Sequence, residues 1–235
     1  MVVLFLAALL GCSRQAKSPG EKVYLHKVAD GETLSEIAED YYGSPSRATL
    51  IGEFNAVEDA DLVDGMVLRV PMSGEDIERL RTRERARVPY NRGLELAEKG
   101  AYVDAVQEFT DALSIDAEFV DAVYNLGVTL QKIKSYEKAA ENLEKAVRLR
   151  PENTEYRFAL GNCLFHLERY DEAAVSFEKV MELDPAHVKA LYSLAVCYEK
   201  RGQTEEAKQA WKRYLELDSK SAWAIEARKR LEELE

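Results

Sequence analysis

The chain has 235 residues, of which 46 % are hydrophobic and 32 % are charged, and this length accommodates one or two domains. The 43 acidic side chains outnumber the 32 basic ones, and the resulting net charge of −11 argues against a general nucleic-acid-binding protein. A charge of this sign leaves cationic partners open and otherwise favours solubility.

An uninterrupted apolar run covers residues 2–10 and is followed by Gly11 and Cys12. The run has the length of the hydrophobic part of a secretory signal peptide and is too short to cross a bilayer as a helix. Residues 9–12, Leu-Leu-Gly-Cys, resemble a bacterial lipobox, although Leu10 is bulky for that motif and no Lys or Arg precedes the run. The resemblance implies a lipoprotein signal peptide over residues 1–12 and lipidation of Cys12. The alternative is an ordinary signal peptide or a short hydrophobic tail.

The residue after the cysteine, Ser13, implies by the same resemblance a location in the bacterial cell envelope, anchored in the outer membrane and facing the periplasm. Residues 13–22 are polar, contain Pro19 and Gly20 and show no periodicity. We therefore expect a flexible tether between the anchor and the first folded unit.

A small unit with its own pattern follows the tether. Residues 23–28 are β-branched and aromatic, which predicts a strand, and Thr33 with Glu36 predicts a capping box at the start of a helix that Gly43 ends. A second helix is predicted from Ser46 to Asn55, with Asn55 in a left-handed conformation. A closing strand is predicted at residues 66–70, before Pro71.

This strand, helix, helix, strand order resembles the LysM domain over residues 23–71. The resemblance rests on the segments at residues 31–34, 37–38, 42–43, 55 and 65–71. It implies binding of glycans that contain N-acetylglucosamine, chiefly peptidoglycan, in a shallow groove between two loops. The residues carried over to that groove are Gly31, Glu32, Thr33 and Leu34 on one side and Asn55, Ala56, Val57 and Asp61 on the other. Ala60 stands where the family often has proline, so a LysM fold without sugar binding is the alternative.

A helix that connects two domains is predicted over residues 72–88. Ser73 and Asp76 form a candidate capping box at its start, and Pro89 is expected to end it. Its arginines occupy alternate positions, which spreads them around the helix, and glutamates are interleaved with them; this favours a solvated connector over a lipid-binding face.

Three sets of residues recur every 34 positions in the rest of the chain. The small residues are Gly93, Gly127, Gly161 and Ala195; a second set is Ala105, Ala139, Ala173 and Ala207; the bulky set is Phe109, Leu143, Phe177 and Trp211. This spacing predicts paired helices, in which the small residue of the first helix allows the second helix to approach closely. The pattern resembles four tetratricopeptide repeats over residues 86–221, with a capping helix at residues 222–235, amphipathic through Trp223, Ala227, Leu231 and Leu234.

The fold class expected for the whole chain is therefore mostly α, with a small βααβ LysM domain followed by an all-α solenoid. The repeat resemblance also implies a groove lined by the first helix of each pair, which would hold a protein or peptide partner. The residues that match its lining are Tyr90, Asn91, Tyr124, Asn125, Phe158, Asn162, His166, Tyr192 and Lys200. The alternative is that these aromatic side chains pack partly within the array.

No catalytic, metal or cofactor site is expected. His26, His166 and His187 lie far apart in the sequence, and no phosphate-binding loop or nucleophile motif is present. Cys163 and Cys197 occupy equivalent places in neighbouring repeats, where the distance between stacked helices favours free, buried thiols over a disulfide.

The leading hypothesis is a non-enzymatic envelope adapter that is lipid-anchored, binds peptidoglycan through LysM and binds a protein through the repeats. The second is an accessory or pilotin-like scaffold subunit of a pilus, secretion or outer-membrane assembly system, in which LysM only positions the protein. A wall hydrolase or synthase would need a catalytic domain for which the sequence offers no motif.

Overall fold

The structure, a computed structural model, describes residues 22–235 and divides into two compact units, one ending at Arg85 and the other beginning at Ala86. The signal peptide expected at residues 1–12, the lipidated Cys12 and the tether as far as residue 21 lie outside the described residues. Among residues 22–235, no helix combines the length and the apolar character needed to span a membrane.

Residues 22–72 of the first unit form two strands and two α-helices in the order that the sequence predicts. Strand β1 is Lys22–Lys27, helix α1 is Leu34–Tyr42, helix α2 is Ala48–Asn55 and strand β2 is Val67–Met72, with short 3-10 turns at Pro45–Arg47 and Asp59–Asp61. The strands are antiparallel, with Tyr24 opposite Val70 and His26 opposite Leu68. The side chains of Ile37, Tyr42 and Ile51 are fully buried between the helices and the sheet.

Helix α1 begins and ends as predicted. The Thr33 hydroxyl accepts from the Glu36 N–H, and the Glu36 carboxylate accepts from the Thr33 N–H at 2.8 Å, which completes the capping box. Gly43 closes the helix with a φ of 65°, a conformation in which glycine carries no Cβ penalty.

Three details of the predicted helices and strands are wrong. Ser46 does not begin α2, because it lies within the 3-10 turn that precedes this helix. Ala56 takes the left-handed conformation in place of Asn55, whose side chain instead bonds to the backbone of Arg69. Strand β2 continues through Pro71, which pairs with Val23 in a sheet of only two strands, where a proline interrupts little hydrogen bonding.

The prediction that the connector helix ends before Pro89 is also wrong, because helix α3 covers Gly74–Glu98 with Pro89 inside it. A proline inside a helix removes one backbone hydrogen bond. The residues that follow it are held in the helix by packing: the Tyr90 ring contacts Phe109 and Phe119, with centroids 5.8 and 4.7 Å apart. The capping box at the start of α3 is present, since the Asp76 N–H donates to Ser73 Oγ at 3.1 Å and the Ser73 N–H donates to Asp76 Oδ2 at 3.0 Å.

The second unit is an array of helices that repeats every 34 residues. Helices α5, α7, α9 and α11 begin at Val120, Thr154, Val188 and Ala222, and the helices between them follow the same interval. The bounds are α4 Tyr102–Ile115, α5 Val120–Lys132, α6 Tyr136–Leu149, α7 Thr154–His166, α8 Tyr170–Leu183, α9 Val188–Lys200, α10 Thr204–Leu217 and α11 Ala222–Leu234.

The predicted pairing of small with bulky residues is confirmed. A Cβ added to Gly161 would lie 2.6 Å from Phe177 Cε1, and one added to Gly93 would lie 2.6 Å from Phe109 Cε1. These distances are shorter than van der Waals contact, so the glycines allow the two helices of a pair to approach closely.

The turn inside each helix pair uses a left-handed residue. Gly100 and Gly202 occupy this position with φ of 77° and 70°. The equivalent residues of the middle repeats, Lys134 and Glu168, adopt φ of 61° and 58° although they carry a Cβ.

Helix α11 packs on α10 through Ala224 and Ala227, which are fully buried. Trp223, expected on the apolar face, is instead 62 % exposed and touches Tyr192 edge-on at 5.0 Å between centroids. Cys163 and Cys197 are free and buried as predicted, and burial raises the pKa of each thiol to about 12.

Candidate functional site

The two loops that the sequence analysis places on either side of the glycan groove are directly connected. The Leu34 N–H, at the start of α1, donates to Asp59 Oδ1 at 2.6 Å. A short hydrogen bond to a carboxylate is among the stronger ones. The loops therefore meet at this point.

An open cavity of about 750 Å³ lies beside this contact, on the side of α2. Four of the eight expected groove residues line it, namely Leu34, Ala56, Val57 and Asp61. The lining residues that the sequence analysis missed are Ala48, Thr49, Gly52, Glu53, Glu58, Asp59 and Ala60. Ala48, Gly52 and Ala56 recur at intervals of four, so one small-residue face of a helix was the available signal.

The other four expected groove residues do not line the cavity, and three of them have side chains engaged within the unit. Glu32 Oε2 lies 2.8 Å from His26 Nε2 and accepts from the Ala29 N–H at 2.8 Å. Asn55 accepts from the Arg69 N–H at 2.8 Å and donates to the Arg69 carbonyl at 2.7 Å. Thr33 is the helix cap, and Gly31 is an exposed turn residue with a φ of 76°.

The cavity wall is acidic. Glu53, Glu58, Asp59 and Asp61 line it, and none of the lining residues is basic. Carboxylates accept hydrogen bonds from hydroxyl groups, so this wall suits a neutral polyhydroxylated ligand or a cation and disfavours an anion.

In the repeat array, the structure places most of the expected aromatic groove residues partly inside the array. Tyr124 stacks on Tyr156 with centroids 4.5 Å apart, and Phe158 lies against Phe177 at 5.7 Å. Burial, and then the Glu155 carboxylate that accepts from the Tyr124 hydroxyl at 2.9 Å, raises the pKa of Tyr124. The tyrosine stack therefore joins neighbouring repeats, whereas Phe158 packs on the second helix of its own pair.

The two asparagines of the first repeats differ in their surroundings. Asn125 donates to the Tyr90 hydroxyl at 3.1 Å and so joins neighbouring repeats, whereas Asn91 is exposed. Neither residue lines the cavities described below.

A cavity of about 220 Å³ lies between α7, α9 and α11 and brings three of the expected groove residues together. These are Asn162, His166 and Tyr192. The remaining lining residues are Phe165, Ser193, Val196 and Arg230. Arg230 could not be found from the repeat pattern, because α11 was interpreted only as a cap.

Lys200 lines a different cavity, of about 570 Å³, near the turns of the last two repeats. There Arg201 pairs with Asp171 at 2.7 Å and Arg169 pairs with Glu172, so most charges are already compensated. Within residues 22–235, no group of three or more His, Cys, Asp or Glu side chains is arranged to hold a metal ion.

The tetratricopeptide repeat family matches residues 124–180 and residues 164–231. No curated protein matches the chain significantly. Among solved structures, YrrB, described as a tetratricopeptide-repeat protein with an unusual peptide-binding site, is 30 % identical over 66 % of this chain and 79 % of its own, with a TM-score of 0.59.

Two structures of MamA are also similar. MamA AMB-1 is 29 % identical over 61 % of this chain and 86 % of its own, with a TM-score of 0.54. MamA from Desulfovibrio magneticus RS-1 is 21 % identical over 63 % of this chain and 82 % of its own, with a TM-score of 0.60, which shows a common fold.

Proposed function

The chain belongs to the tetratricopeptide-repeat family, and on that premise we propose that it is a non-enzymatic adapter of the bacterial cell envelope. The repeats hold a protein partner, residues 23–71 bind peptidoglycan as a LysM domain, and Cys12 carries a lipid anchor in the outer membrane.

The cavity between α7, α9 and α11 carries the partner-binding part of the proposal. It combines aromatic and apolar side chains with Asn162 and Ser193, which form no side-chain hydrogen bond among residues 22–235, a mixture that suits a peptide segment. YrrB, 30 % identical, is described with a peptide-binding site, and this supports the same general role here.

The first unit supports the wall-binding part in two ways. Its strand, helix, helix, strand order is the order expected of a LysM domain, and its open cavity is lined by oxygen acceptors and small side chains. A polyhydroxylated sugar can donate to those acceptors while the small residues leave room for its ring.

Co-sedimentation with purified sacculi tests the wall-binding part, using a protein that begins at Ser13. We expect it to pellet at moderate salt, where long-range charge effects are screened. Thr49→Trp fills the cavity and should abolish pelleting, whereas Val63→Trp, at a residue that is 61 % exposed and does not line the cavity, should not.

Failure of the wild-type protein to pellet would contradict peptidoglycan binding. The scaffold hypothesis, an accessory subunit of a pilus, secretion or outer-membrane assembly system, would then explain the repeats better.

The lipid anchor is tested separately by metabolic labelling with an alkyne fatty acid, which we expect to modify the wild type and not Cys12→Ser.

A further inference from the structure

The cavity between α7, α9 and α11 has the size of one side chain. Its volume of about 220 Å³ lies below the roughly 300–1,000 Å³ of typical small-molecule sites. Phe165, Tyr192 and Val196 supply an apolar surface at its wall. An apolar side chain inserted there would be removed from water on several sides, which is how anchor residues contribute to peptide binding.

Polar side chains at the same cavity are available to a ligand. Asn162 and Ser193 are half-buried, and neither forms a side-chain hydrogen bond within residues 22–235. The equivalent residue one repeat earlier is Val128, so the amide at this place belongs to the third repeat. An amide and a hydroxyl can donate to and accept from the backbone of an extended peptide.

The arginine in the cavity wall is already neutralised. Arg230 Nε donates to Glu226 Oε1 at 2.9 Å, and Arg230 Nη1 donates to Glu199 Oε2 at 3.0 Å. Because both carboxylates compensate the guanidinium, Arg230 is not available to pair with a buried anion. The side chain that enters the cavity should therefore be uncharged.

Basic side chains end the first helix of three successive repeats, including the two helices α7 and α9 that line the cavity. Lys132, His166 and Lys200 are spaced by 34 residues and occupy equivalent places at the ends of α5, α7 and α9. Lys200 lies one helical turn after Val196, and neither lysine forms an ion pair within the described part of the chain. In the neighbouring cavity that Lys200 lines, Asp171 and Glu172 are already paired with Arg201 and Arg169, so the Lys200 ammonium group is available to a carboxylate of a bound segment.

Building on the proposed partner-binding function, we propose that this cavity is an anchor pocket for an extended acidic segment of another protein. One uncharged apolar side chain fills the pocket, and Asn162 and Ser193 bond the backbone beside it. A carboxylate lies toward Lys200. Neighbouring helices stand about 8–10 Å apart and an extended chain advances about 3.3 Å per residue, so carboxylates three residues apart match successive basic side chains.

Selection from a phage-displayed library of random twelve-residue peptides against the protein from Ser13 tests this proposal. We expect peptides with one large apolar residue and acidic residues spaced by about three. Val196→Trp, which fills the pocket, should weaken their binding at least about tenfold. The matched control is Val175→Trp, at a residue on α8 that is 63 % exposed and should have no effect.

A double variant tests the pocket without the risk that a large side chain disrupts folding. Asn162→Ala with Ser193→Ala removes only half-buried polar groups and should also weaken binding. Lys200→Glu should weaken it severalfold more than Lys138→Glu, which makes the same change in net charge at an exposed residue of α6. Circular dichroism confirms that each variant is folded.

The outcomes separate two failures. Peptides that bind Val196→Trp and the double alanine variant as tightly as wild type would overturn the anchor pocket and leave partner binding by the repeats intact. A consensus without acidic residues would overturn the charge preference. If the library yields no binder, partner binding by the groove fails, and the anchor pocket fails with it.

Discussion

The Leu34 N–H donates to Asp59 Oδ1 at 2.6 Å, and this bond joins residues that lie 25 positions apart in the sequence. A backbone N–H in the first turn of α1 thereby gains a carboxylate acceptor from a distant loop, in addition to the cap that Thr33 provides. A negative charge at a helix N-terminus is favourable.

Replacing Asp59 by Ala should therefore lower the free energy of unfolding of the first unit by about 1–2 kcal/mol. Urea denaturation monitored by circular dichroism measures the change. Asp64→Ala, at an exposed residue with no side-chain hydrogen bond within residues 22–235, is the control and should change it by less than about 0.5 kcal/mol. Equal effects would show that the Leu34 contact contributes nothing.

Gly161→Leu should strongly destabilise the repeat array. Even a Cβ would lie 2.6 Å from the Phe177 ring, so the larger side chain forces α7 and α8 apart and costs about 3 kcal/mol or more. Thermal unfolding measures it. Gly74→Leu, where a Cβ meets nothing within 4 Å, should have little effect, and comparable losses at both positions would contradict the close-approach role of Gly161.

Lys134→Gly and Glu168→Gly should each stabilise the array. Both residues hold a left-handed φ, near 60°, that glycine adopts without a Cβ penalty, so we expect a gain of about 1 kcal/mol for each. Lys134→Ala removes the same side chain but keeps the Cβ, and it should bring no gain. Chemical denaturation of the three variants decides between a backbone effect and a side-chain effect.

The stability of the first unit should depend on Asp76 in acid. Burial alone would raise the pKa of this carboxyl, but hydrogen bonds from Arg47, at 2.5 Å, and from Ser73 outweigh burial and hold its pKa below the usual range. A carboxyl with a depressed pKa adds stability that is fully present above its unfolded pKa of about 3.9 and is lost as pH falls through the folded value.

Asp76→Asn should accordingly lower the free energy of unfolding by about 2 kcal/mol at pH 7, and the difference from wild type should shrink below about pH 4. Urea titrations from pH 7 to pH 2.5 measure this dependence. A difference that stays constant across that range would contradict the role of the ionised carboxylate.

Cys163 and Cys197 should resist thiol reagents in the native protein. Burial raises the pKa of each thiol to about 12, so almost no thiolate is present at pH 8. In a protein that begins at Ser13, we expect less than one thiol to react with a disulfide reagent before unfolding and two to react in denaturant. Rapid reaction of the folded protein would show that the repeats open locally.

The sequence alone determined the repeat, because its period can be read from the spacing of residues along the chain. Each small residue and the bulky residue 16 positions later belong to one helix pair. The spacing of Gly161 and Phe177 therefore predicts the close approach of α7 and α8 without knowledge of any other contact. The capping boxes at Thr33 and Ser73 were predictable for the same reason, since the partners lie three residues apart.

Tertiary structure decided what distant segments do together. Packing of Tyr90 on Phe109 and Phe119 keeps the residues after Pro89 helical, against the local preference of proline. The pocket at Asn162 also needs Arg230, which is 68 residues away on α11 and held there by Glu199. A cavity depends on side chains from three helices at once, whereas a periodic pattern records only how each helix meets its neighbour.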